Sequence, residues 1–345
     1  MFRILLIRIS LAFLCFFLFS PIITHAYEPK PTSVIKSGNT GGKPKQVQVG
    51  IYVINIEEVN SAKQSYQATI ALDMKWNDPT LICGPSEDKG IIRKFNLKDI
   101  WNPSMIIANQ EHIEKQFTYQ AWVDCLGNVE YTEIVFGDFL TIANIKEFPF
   151  DQRPLTIELV STEFDTSELQ FVNDKSITGR DSDLSVADWY IDKVPVAEST
   201  AYHFKPGNRE LSSFVYTLSA KRNSSFFVWK IIIPLILIVI MSWAVFWIPP
   251  SQLGPQIGLS MTSMLTLIAY RFAIGHVVPD VSYLTRFDKF VFGSTLLVFL
   301  AFAEAIVSGS LSYENNDKLA KTIDFYSRFI FPAIFICILI YSLFL

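Results

Sequence analysis

The chain has 345 residues, half of them apolar and 18% charged, and a formal net charge of −4. Its mean hydropathy of +0.30 is too high for an ordinary soluble domain. Residues 27–225 carry 27 acidic and 20 basic side chains, which argues against nucleic acid as a partner and mildly favours cations near that part of the surface.

The first 26 residues have the pattern of a secretory signal peptide. Arg3 and Arg8 form a basic start, LAFLCFFLFS forms an apolar centre, and small residues up to Ala26 form a cleavage site. An uncleaved anchor helix is the alternative. The signal-peptide interpretation predicts that the chain from Tyr27 onward is exported.

Residues 27–225 are predicted to form an exported β-sandwich. Residues 27–45 are rich in Pro, Gly and Lys and indicate a loose arm. From Gln46 onward, apolar and polar residues alternate in short segments separated by turn residues. This rhythm predicts an all-β, antiparallel, immunoglobulin-like sandwich. The predicted strands cover residues 47–55, 67–76, 116–124, 129–142, 154–160, 188–194 and 211–221.

Two of the four cysteines are candidates for a disulfide. Cys15 lies in the signal peptide and Cys337 in an apolar span, which leaves Cys83 and Cys125 in the exported part. Both lie beside turn residues and can pair in an oxidising compartment, with two free thiols as the alternative. The sequence has no Cys/His cluster with metal-ligand spacing and no convergent acid/base set, so it indicates no metal, no cofactor and no enzyme activity.

Four apolar spans follow and predict an all-α transmembrane bundle over residues 226–345. Each span is long enough to cross a bilayer as a helix, and Pro234 inside the first is tolerable there. A link of a dozen residues, 311–322, joins the last two spans. Charges in the links are too balanced to set the topology. The predicted spans are 226–248, 254–274, 288–309 and 323–345.

The second span combines apolar residues with hydroxyls and glycine, and one of its helical faces is distinctive. Along that face the spacing alternates between four and three residues, a period near 3.5. Hydroxyls can replace water around an ion, and a leucine ring can close a pore by dewetting, so this face is predicted to line a pore. The alternative is a helix packed inside a bundle, where small residues allow close approach. The face comprises Gly254, Gly258, Thr262, Leu265, Ala269, Phe272 and His276.

Several motifs occur in an order and spacing that resemble a known family. They are Trp76–Pro79, Ile100–Pro103, Phe148-Pro149-Phe150-Asp151, Arg222 before the first span, Pro234 within it, and Pro279–Tyr283 after the second span. Together they resemble the pentameric ligand-gated ion channels, the Cys-loop receptor superfamily, over Val47 to Leu345. The positions of the two cysteines that name the superfamily are Thr141 and Leu155 here, as in its bacterial branch.

The resemblance implies a homopentamer in a bacterial inner membrane, with the N-terminal domain in the periplasm and contacts to lipids and permeating ions. Five copies of the second span surround one pore, with Leu265 as its hydrophobic gate and Phe272 as an outer constriction. The inner mouth, Leu253 to Gln256, has neither the glutamate of the cation channels nor the Pro-Ala-Arg run of the anion channels. Pro255 at the inner mouth is a faint likeness to the anion channels, whereas the acidic exported domain slightly favours cations.

The resemblance also implies that loops at the base of the sandwich meet the link after the pore helix. Asp151 and Arg222 are predicted to form a buried ion pair at this junction, where loss of one partner is costly. A solvated surface pair worth under about 1 kcal/mol is the alternative. The predicted gating residues are Glu58, Phe148, Pro149, Phe150, Asp151, Arg222 and Pro279.

The agonist site of the family lies between subunits and is walled by aromatic residues. Three positions where an aromatic is expected carry Ala71, Ala108 and Thr162. The remaining aromatics and carboxylates suit a small cationic amine, through cation–π contact and a charge-assisted hydrogen bond. A proton is the rival agonist. The alternative role for Phe164 and Phe214 is packing in the core of the sandwich. The candidate ligand residues are Asp73, Glu133, Glu163, Phe164, Tyr202, Phe204 and Phe214.

A ligand-gated ion channel is therefore the leading functional hypothesis: agonist binding between the sandwiches opens a pore for small monovalent ions. The alternative is a non-conducting membrane receptor with a ligand-binding sandwich, although the short link 311–322 has no room for a signalling domain. A transporter would need charged residues deep in the membrane, and Glu304 is the one deep candidate.

Overall fold

The computed structural model describes residues 43–84, 90–115, 120–142, 144–275, 277–278 and 281–343. The predicted signal peptide, His276 and Pro279 lie outside these residues.

Thirteen β-strands occupy the described chain up to Arg222. They are β1 (Lys45–Asn60), β2 (Ser65–Asn77), β3 (Arg93–Asn96), β4 (Met105–Ile107), β5 (Gln110–Lys115), β6 (Gln120–Val123), β7 (Asn128–Leu140), β8 (Gln152–Asp165), β9 (Leu169–Asn173), β10 (Gly179–Arg180), β11 (Trp189–Ile191), β12 (Val196–Phe204) and β13 (Arg209–Arg222). One sheet has the order β10-β1-β2-β7-β6-β3, with β9 beside β1 and β5 beside β7. The other has the order β11-β13-β8-β4, with β12 beside β13. The predicted sandwich of two sheets is confirmed.

The core of the sandwich follows from residue alternation. Along β1, Val47, Val49 and Ile51 are buried while Gln46 and Gln48 are exposed, so one face of the strand packs inward. The long strands were predicted because each carries this alternation. The strands β3, β4, β9 and β10 were not, since each has only two to five residues, and β5 and β12 were not, since few of their residues are buried. Strand β1 also pairs in parallel with β9 and β10, so the sheet is mixed and not purely antiparallel.

Four helices follow the sandwich, as predicted. They are α1 (Ser225–Trp247), α2 (Leu253–Ile274), α3 (Arg286–Tyr313) and α4 (Asp317–Leu343). All four are long and apolar enough to cross a membrane. Within α1, a π-helical turn over Val228–Ile232 comes just before Pro234, which has no N–H to donate.

The ends of the last two helices differ from the prediction. Helix α3 begins at Arg286 because Thr285 and Asp288 form a reciprocal capping box. The link between α3 and α4 is only Glu314 to Asn316, where Asn315 adopts a positive φ of 62°, so the predicted link 311–322 is wrong. Hydropathy marks the part of a helix that suits lipid, whereas backbone hydrogen bonds continue into polar sequence.

Helix α3 is the centre of the helical domain and contacts the other three helices. Its buried face includes Phe287, Phe290, Leu297 and Val298. Near its end, a side chain at Gly309 would overlap Leu253, so glycine allows the start of α2 to approach closely. This packing fixes which side of α2 faces its own bundle.

Candidate functional site

The junction between sandwich and helices contains a buried ion pair. Nε of Arg222 lies 2.6 Å from Oδ1 of Asp151, and Nη2 of Arg222 lies 3.0 Å from Oδ2. The side chains are 7% and 1% exposed, so the predicted buried pair is present and the solvated alternative is wrong. Bidentate geometry of this kind gives a strong and directional contact.

Arg222 also joins segments that are far apart in the chain. Its guanidinium donates to Oγ of Ser61, in the turn between β1 and β2, at 2.8 Å. Its Cζ atom lies 4.2 Å from the ring centre of Trp189, 5.1 Å from that of Phe148 and 5.8 Å from that of Phe227. One arginine therefore contacts the β1–β2 turn, the loop before β8 and the beginning of α1.

A second arginine shares the same carboxylate. Nε of Arg153, which is fully buried, donates to Oδ2 of Asp151 at 3.0 Å. Burial by itself would raise the pKa of Asp151, but its hydrogen bonds and charge contacts with Arg222 and Arg153 outweigh this and hold the pKa below the usual 3.8. Sequence reasoning missed Arg153. The available signal was its place on the inward face with Leu155 and Ile157, where a charged residue needs a buried partner.

The loop before β8 is tied directly to α3 and to the segment after α2. The N–H of Ile145 donates to Oη of Tyr283 at 3.0 Å. The N–H groups of Arg286 and Phe287, at the start of α3, donate to the carbonyls of Lys146 at 2.8 Å and Phe148 at 3.2 Å. These bonds satisfy donors of the first helical turn, which has no intrahelical partner for them. A shift of this loop therefore acts on the start of α3.

Phe148 links the same loop to two helices. Its ring meets those of Phe227 and Phe287 edge-on, with centroids 4.8 and 6.1 Å apart. Of the other predicted gating residues, Pro149 is buried and Phe150 is partly buried. Glu58 has a different setting: it is exposed, accepts a hydrogen bond from Asn60 and lines a polar cavity of about 160 Å³ beside the β1–β2 turn.

The distinctive face of α2 is directed away from its own helix bundle. Leu265 is 69% exposed and Phe272 is 76% exposed. A side chain at Gly254 or Gly258 would meet no atom within 4 Å. The described members of the face are all exposed: Gly254, Gly258, Thr262, Leu265, Ala269 and Phe272. The buried residues of α2 lie on the other side and include Gln256, Ser260, Ser263 and Leu267.

This exposure bears on the two interpretations of the face. Packing within the chain's own bundle does not account for its small residues, since the glycines face open space. A pore and an interface between copies of the chain remain. Thr262 donates its hydroxyl proton to the carbonyl of Gly258 at 2.8 Å, and Thr266 donates to the carbonyl of Thr262 at 2.7 Å. Each threonine oxygen keeps lone pairs that can accept or coordinate.

Some of the predicted ligand residues come together beside the β12–β13 hairpin. Nη2 of Arg209 donates to the carbonyl of Glu163 at 2.7 Å, and the N–H of Thr166 donates to the carbonyl of Glu210 at 3.1 Å. These bonds hold the end of β8 against the hairpin. On these two segments Glu163 and Phe204 are exposed, and Tyr202 is partly buried.

Two predicted ligand aromatics have structural positions. Phe214 has no exposed surface and belongs to the sandwich core, so a ligand on the surface of the chain does not reach it. Phe164 is partly buried against that core and lies 5.5 Å, between centroids, from Trp101. The packing of Phe164 and Phe214 therefore agrees with a role in the sandwich core. Trp101 is itself covered by Nζ of Lys45, 3.4 Å from the ring centre.

Asp73 and Glu133 already have cationic partners. Asp73 accepts a hydrogen bond from Thr132 at 2.7 Å and lies 3.4 Å from Nζ of Lys75. Glu133 lies 3.0 Å from Nζ of Lys115. In the β2–β7 register Asp73 is opposite Thr132, whereas Glu133 is opposite Leu72, so the two carboxylates point to opposite faces of the sheet. One ligand therefore does not contact both of them.

Cys83 and Cys125 form a disulfide across 42 residues of sequence. It connects the segment after β2 with the turn between β6 and β7. In the part of the chain that the structure describes, no group of three or more His, Cys, Asp and Glu side chains is arranged to hold a metal.

Comparison with known proteins shows similarity along most of the chain. A family model described as the neurotransmitter-gated ion-channel ligand binding domain matches residues 23–223, and one described as the neurotransmitter-gated ion-channel transmembrane region matches residues 231–318. The chain is 24% identical over 294 residues to a proton-gated ion channel of Gloeobacter violaceus, covering 85% of this chain and 81% of that protein.

Animal receptor subunits also match. The chain is 25% identical over 296 residues to the gamma-aminobutyric acid receptor subunit rho-3 of Homo sapiens, covering 82% of this chain and 62% of that subunit. It is 25% identical over 291 residues to the glycine receptor subunit beta of Homo sapiens, covering 81% of this chain and 57% of that subunit. The chain thus spans about three-fifths of the length of these two subunits.

Proposed function

The chain belongs to the neurotransmitter-gated ion-channel family, and from that premise we propose that it forms a homopentameric ligand-gated ion channel in a bacterial inner membrane. The four spans make it a multi-pass membrane protein. We propose that the sandwich lies in the periplasm, because the first 26 residues have a signal-peptide pattern and the Cys83–Cys125 disulfide suits an oxidising compartment.

The exposed face of α2 is the observation that carries the proposed pore. A single chain leaves Leu265 and Phe272 uncovered while the opposite side of the same helix is buried. Exposed apolar side chains alone would suit lipid, but the glycines and the hydroxyl of Thr262 on the same face would not, so we propose that other copies of the chain enclose it. Five copies around an axis give a hydroxyl-lined inner half at Gly258 and Thr262 and an apolar ring at Leu265 that closes by dewetting.

The proposed pore favours cations. The hydroxyl proton of Thr262 is used in the bond to Gly258, so the threonine oxygen offers lone pairs to the pore. The net charge of residues 27–225 is −7, from 27 acidic and 20 basic side chains, and raises the local concentration of cations.

The proposed agonist is a small amine at the β12–β13 hairpin. Glu163, Tyr202 and Phe204 lie on two segments that hydrogen bonds hold together, and they supply a carboxylate and two aromatic rings. Asp73, which is buried and already contacts Thr132 and Lys75, is less suited to the amine than Glu163. The rival agonist is a proton, the one named for the Gloeobacter violaceus relative.

Current measurement tests the channel and its agonist together. Purified protein in a planar bilayer, under a salt gradient, is exposed to a series of small amines and then to steps of pH. We expect amine-dependent current with a reversal potential on the cation side. Current that responds to pH alone assigns the proton as agonist. A membrane-inserted protein that stays silent under every condition overturns the channel and leaves the non-conducting receptor.

Cysteine accessibility tests the pore face directly. In a Cys337→Ser background, which removes the exposed free thiol, Gly258→Cys, Thr262→Cys and Leu265→Cys are treated with a charged aqueous thiol reagent. We expect each to react and to alter the current. The matched control is Ser263→Cys, on the buried side of the same helix, which should stay unreactive. Labelling of the control but not of the other three would refute the proposed pore.

A further inference from the structure

Two acidic side chains meet between α3 and α4, separate from the exposed face of α2 and from the sandwich. Glu304 of α3 faces Asp324 and Ser327 of α4. Asp324 is only 1% exposed. Both carboxyl oxygens of Glu304 and Oδ2 of Asp324 are screened from water and have no well-formed hydrogen bond within the described part of the chain. Ionised carboxyl groups in this setting lack the water that stabilises them in solution.

The groups around the pair supply little positive charge. Oγ of Ser308, fully buried, donates to Oδ1 of Asp324. Arg328, one turn further along α4, is directed toward the end of α1: its Nε donates to the carbonyl of Phe246 at 3.0 Å, and its Cζ lies 4.6 Å from the ring centre of Trp247. No ion pair joins Arg328 to Asp324 or Glu304 among the described residues.

The neighbouring helices do not change this balance. The last turn of α1, Ala244–Trp247, and the inner half of α2, residues 253–266, contain no ionisable side chain. Lys321 of α4 is exposed. Two carboxyl groups therefore share two serine hydroxyls, Ser308 and Ser327, and one arginine that is bonded elsewhere.

We propose that Glu304 and Asp324 form a proton-binding site that joins α4 to α3. Two adjacent carboxylates in a medium of low dielectric constant repel each other strongly, and one shared proton replaces that repulsion with a charge-assisted hydrogen bond. Glu304 carries the proton and donates a hydrogen bond to the carboxylate of Asp324. Asp324 is the acceptor because Ser308 already donates to it and Arg328 is one turn away. The proton is taken from water and returned to it, so uptake changes the charge of the pair by one unit.

The site makes the attachment of α4 depend on pH. Both carboxyl groups are ionised in the unfolded chain at neutral pH, so the folded chain binds one more proton than the unfolded chain does. The contribution of this site to stability is then complete at low pH and is lost as pH rises, until the pair has lost its proton. Helix α4 is the least buried of the four spans within the chain. Loss of the contact with α3 should therefore weaken the packing of α4 more than that of the other helices.

Infrared spectroscopy and thermal unfolding test the site on the full chain in lipid nanodiscs. At neutral pH we expect one buried protonated-carboxyl C=O band per chain, shifted in D₂O, that disappears at alkaline pH together with part of the thermal stability. Glu304→Gln should lose the band and the alkaline loss of stability, because its amide donates to Asp324 without titrating. Asp317→Asn, at an exposed position on the same helix, is the control and should retain both.

A second variant keeps the test decisive if Glu304→Gln does not fold. Ser308→Ala removes a donor to the ionised Asp324, so the loss of the band should move to higher pH. A band that persists in Glu304→Gln, or the absence of any such band in the parent protein, overturns the proposal, as does an unmoved transition in Ser308→Ala. Stability that requires added Ca²⁺ and is lost with a chelator also overturns it. None of these readouts uses ionic current, so failure of the proposed channel is distinguishable from failure of this site.

Discussion

The junction at Arg222 and the exposed face of α2 differ in whether one chain completes their contacts. At the junction, Asp151 and Arg222 are buried and bonded to each other, and their further partners Arg153 and Ser61 belong to the same chain. On α2, Leu265 is 69% exposed and the neighbouring glycines face open space. A buried, paired region contributes to the stability of the chain itself, whereas an exposed face contributes little to it.

This difference separates two kinds of mutational effect. Substitutions at the junction should change folding and membrane yield, because they leave a buried charge without its partner. Substitutions on the exposed face of α2 should leave folding nearly unchanged and alter conduction.

The largest expected effect follows Arg222→Ala. Removal of the guanidinium leaves Asp151 buried with Arg153 as its one remaining cation and should destabilise the protein by about 3–5 kcal/mol. We expect poor membrane yield or channels that fail to open, measured by surface labelling and bilayer current. Lys221→Ala, an exposed neighbour on the same strand, is the control. Normal yield with normal current in Arg222→Ala contradicts a role in folding or coupling.

The same pair predicts a loss of stability in acid. The pKa of Asp151 in the folded protein lies below the usual 3.8, so its contribution is complete above that value and is lost as pH falls through the folded pKa. Acid unfolding of the parent protein should therefore be steeper below pH 3.8 than that of Arg222→Ala. Equal acid profiles of the two proteins contradict this assignment.

A pair of leucines on α2 sharpens the comparison within one helix. Leu267 is 2% exposed and Leu265 is 69% exposed. Leu267→Ala leaves a cavity and should cost about 2–5 kcal/mol, whereas Leu265→Ala should change stability by under about 0.5 kcal/mol and raise the current without agonist. Thermal unfolding and bilayer recording measure both effects. A stable, leaky Leu267→Ala with an unstable, silent Leu265→Ala reverses the assignment of the two faces.

Removal of the disulfide should have an intermediate effect confined to the sandwich. Cys125→Ser opens a loop closed across 42 residues and should lower stability by about 2–4 kcal/mol. The folded fraction should still conduct, because the disulfide follows the end of β2 at Asn77, whereas Arg222 contacts the turn that precedes the start of β2 at Ser65. Cys337→Ser, at an exposed position on α4, should leave unfolding unchanged. Retained stability in Cys125→Ser shows that the surrounding turns need no cross-link.

The smallest effect is expected from an exposed pair at the same junction. Nη2 of Arg286 lies 3.3 Å from Oε1 of Glu147, and the side chains are 23% and 60% exposed. Arg286→Ala should change stability by less than about 1 kcal/mol, because solvent screens the pair and the backbone bond from Arg286 to Lys146 remains. Measured beside Arg222→Ala, it tests whether burial, rather than location at the junction, determines the cost. Equal losses in the two variants would show that location is decisive.

Much of the architecture follows from local patterns. Alternation identifies the long strands β1, β2 and β7, and hydropathy identifies the four helices. The short strands were missed because their pairing, not their own sequence, makes them strands. The extra turns at the start of α4 were missed because polar residues continue a helix as readily as apolar ones.

The candidate site divides in the same way. The exposed face of α2 was predicted from the helical spacing of its residues. The Asp151–Arg222 pair was predicted because both residues fall on motifs that resemble those of the family. Arg153, Ser61 and Tyr283 were not assigned, because each meets its partner through a contact between distant segments. Asp73 and Glu133 were predicted to bind a ligand, but in the structure they lie close to Lys75 and Lys115. The contact between Lys115 and Glu133 likewise joins two different strands.

By itself, the sequence determined that an alternating, acidic first part precedes four apolar spans and that the second span carries one face of small and hydroxyl residues. The period of the apolar residues indicates which face of a strand or helix is buried, and that period is visible within a short segment of sequence. Only the tertiary structure decided that this face is uncovered in a single chain, that Cys83 and Cys125 pair, and that Phe214 is core. Those outcomes depend on which surfaces meet after the chain closes on itself, and spacing along the chain does not specify that.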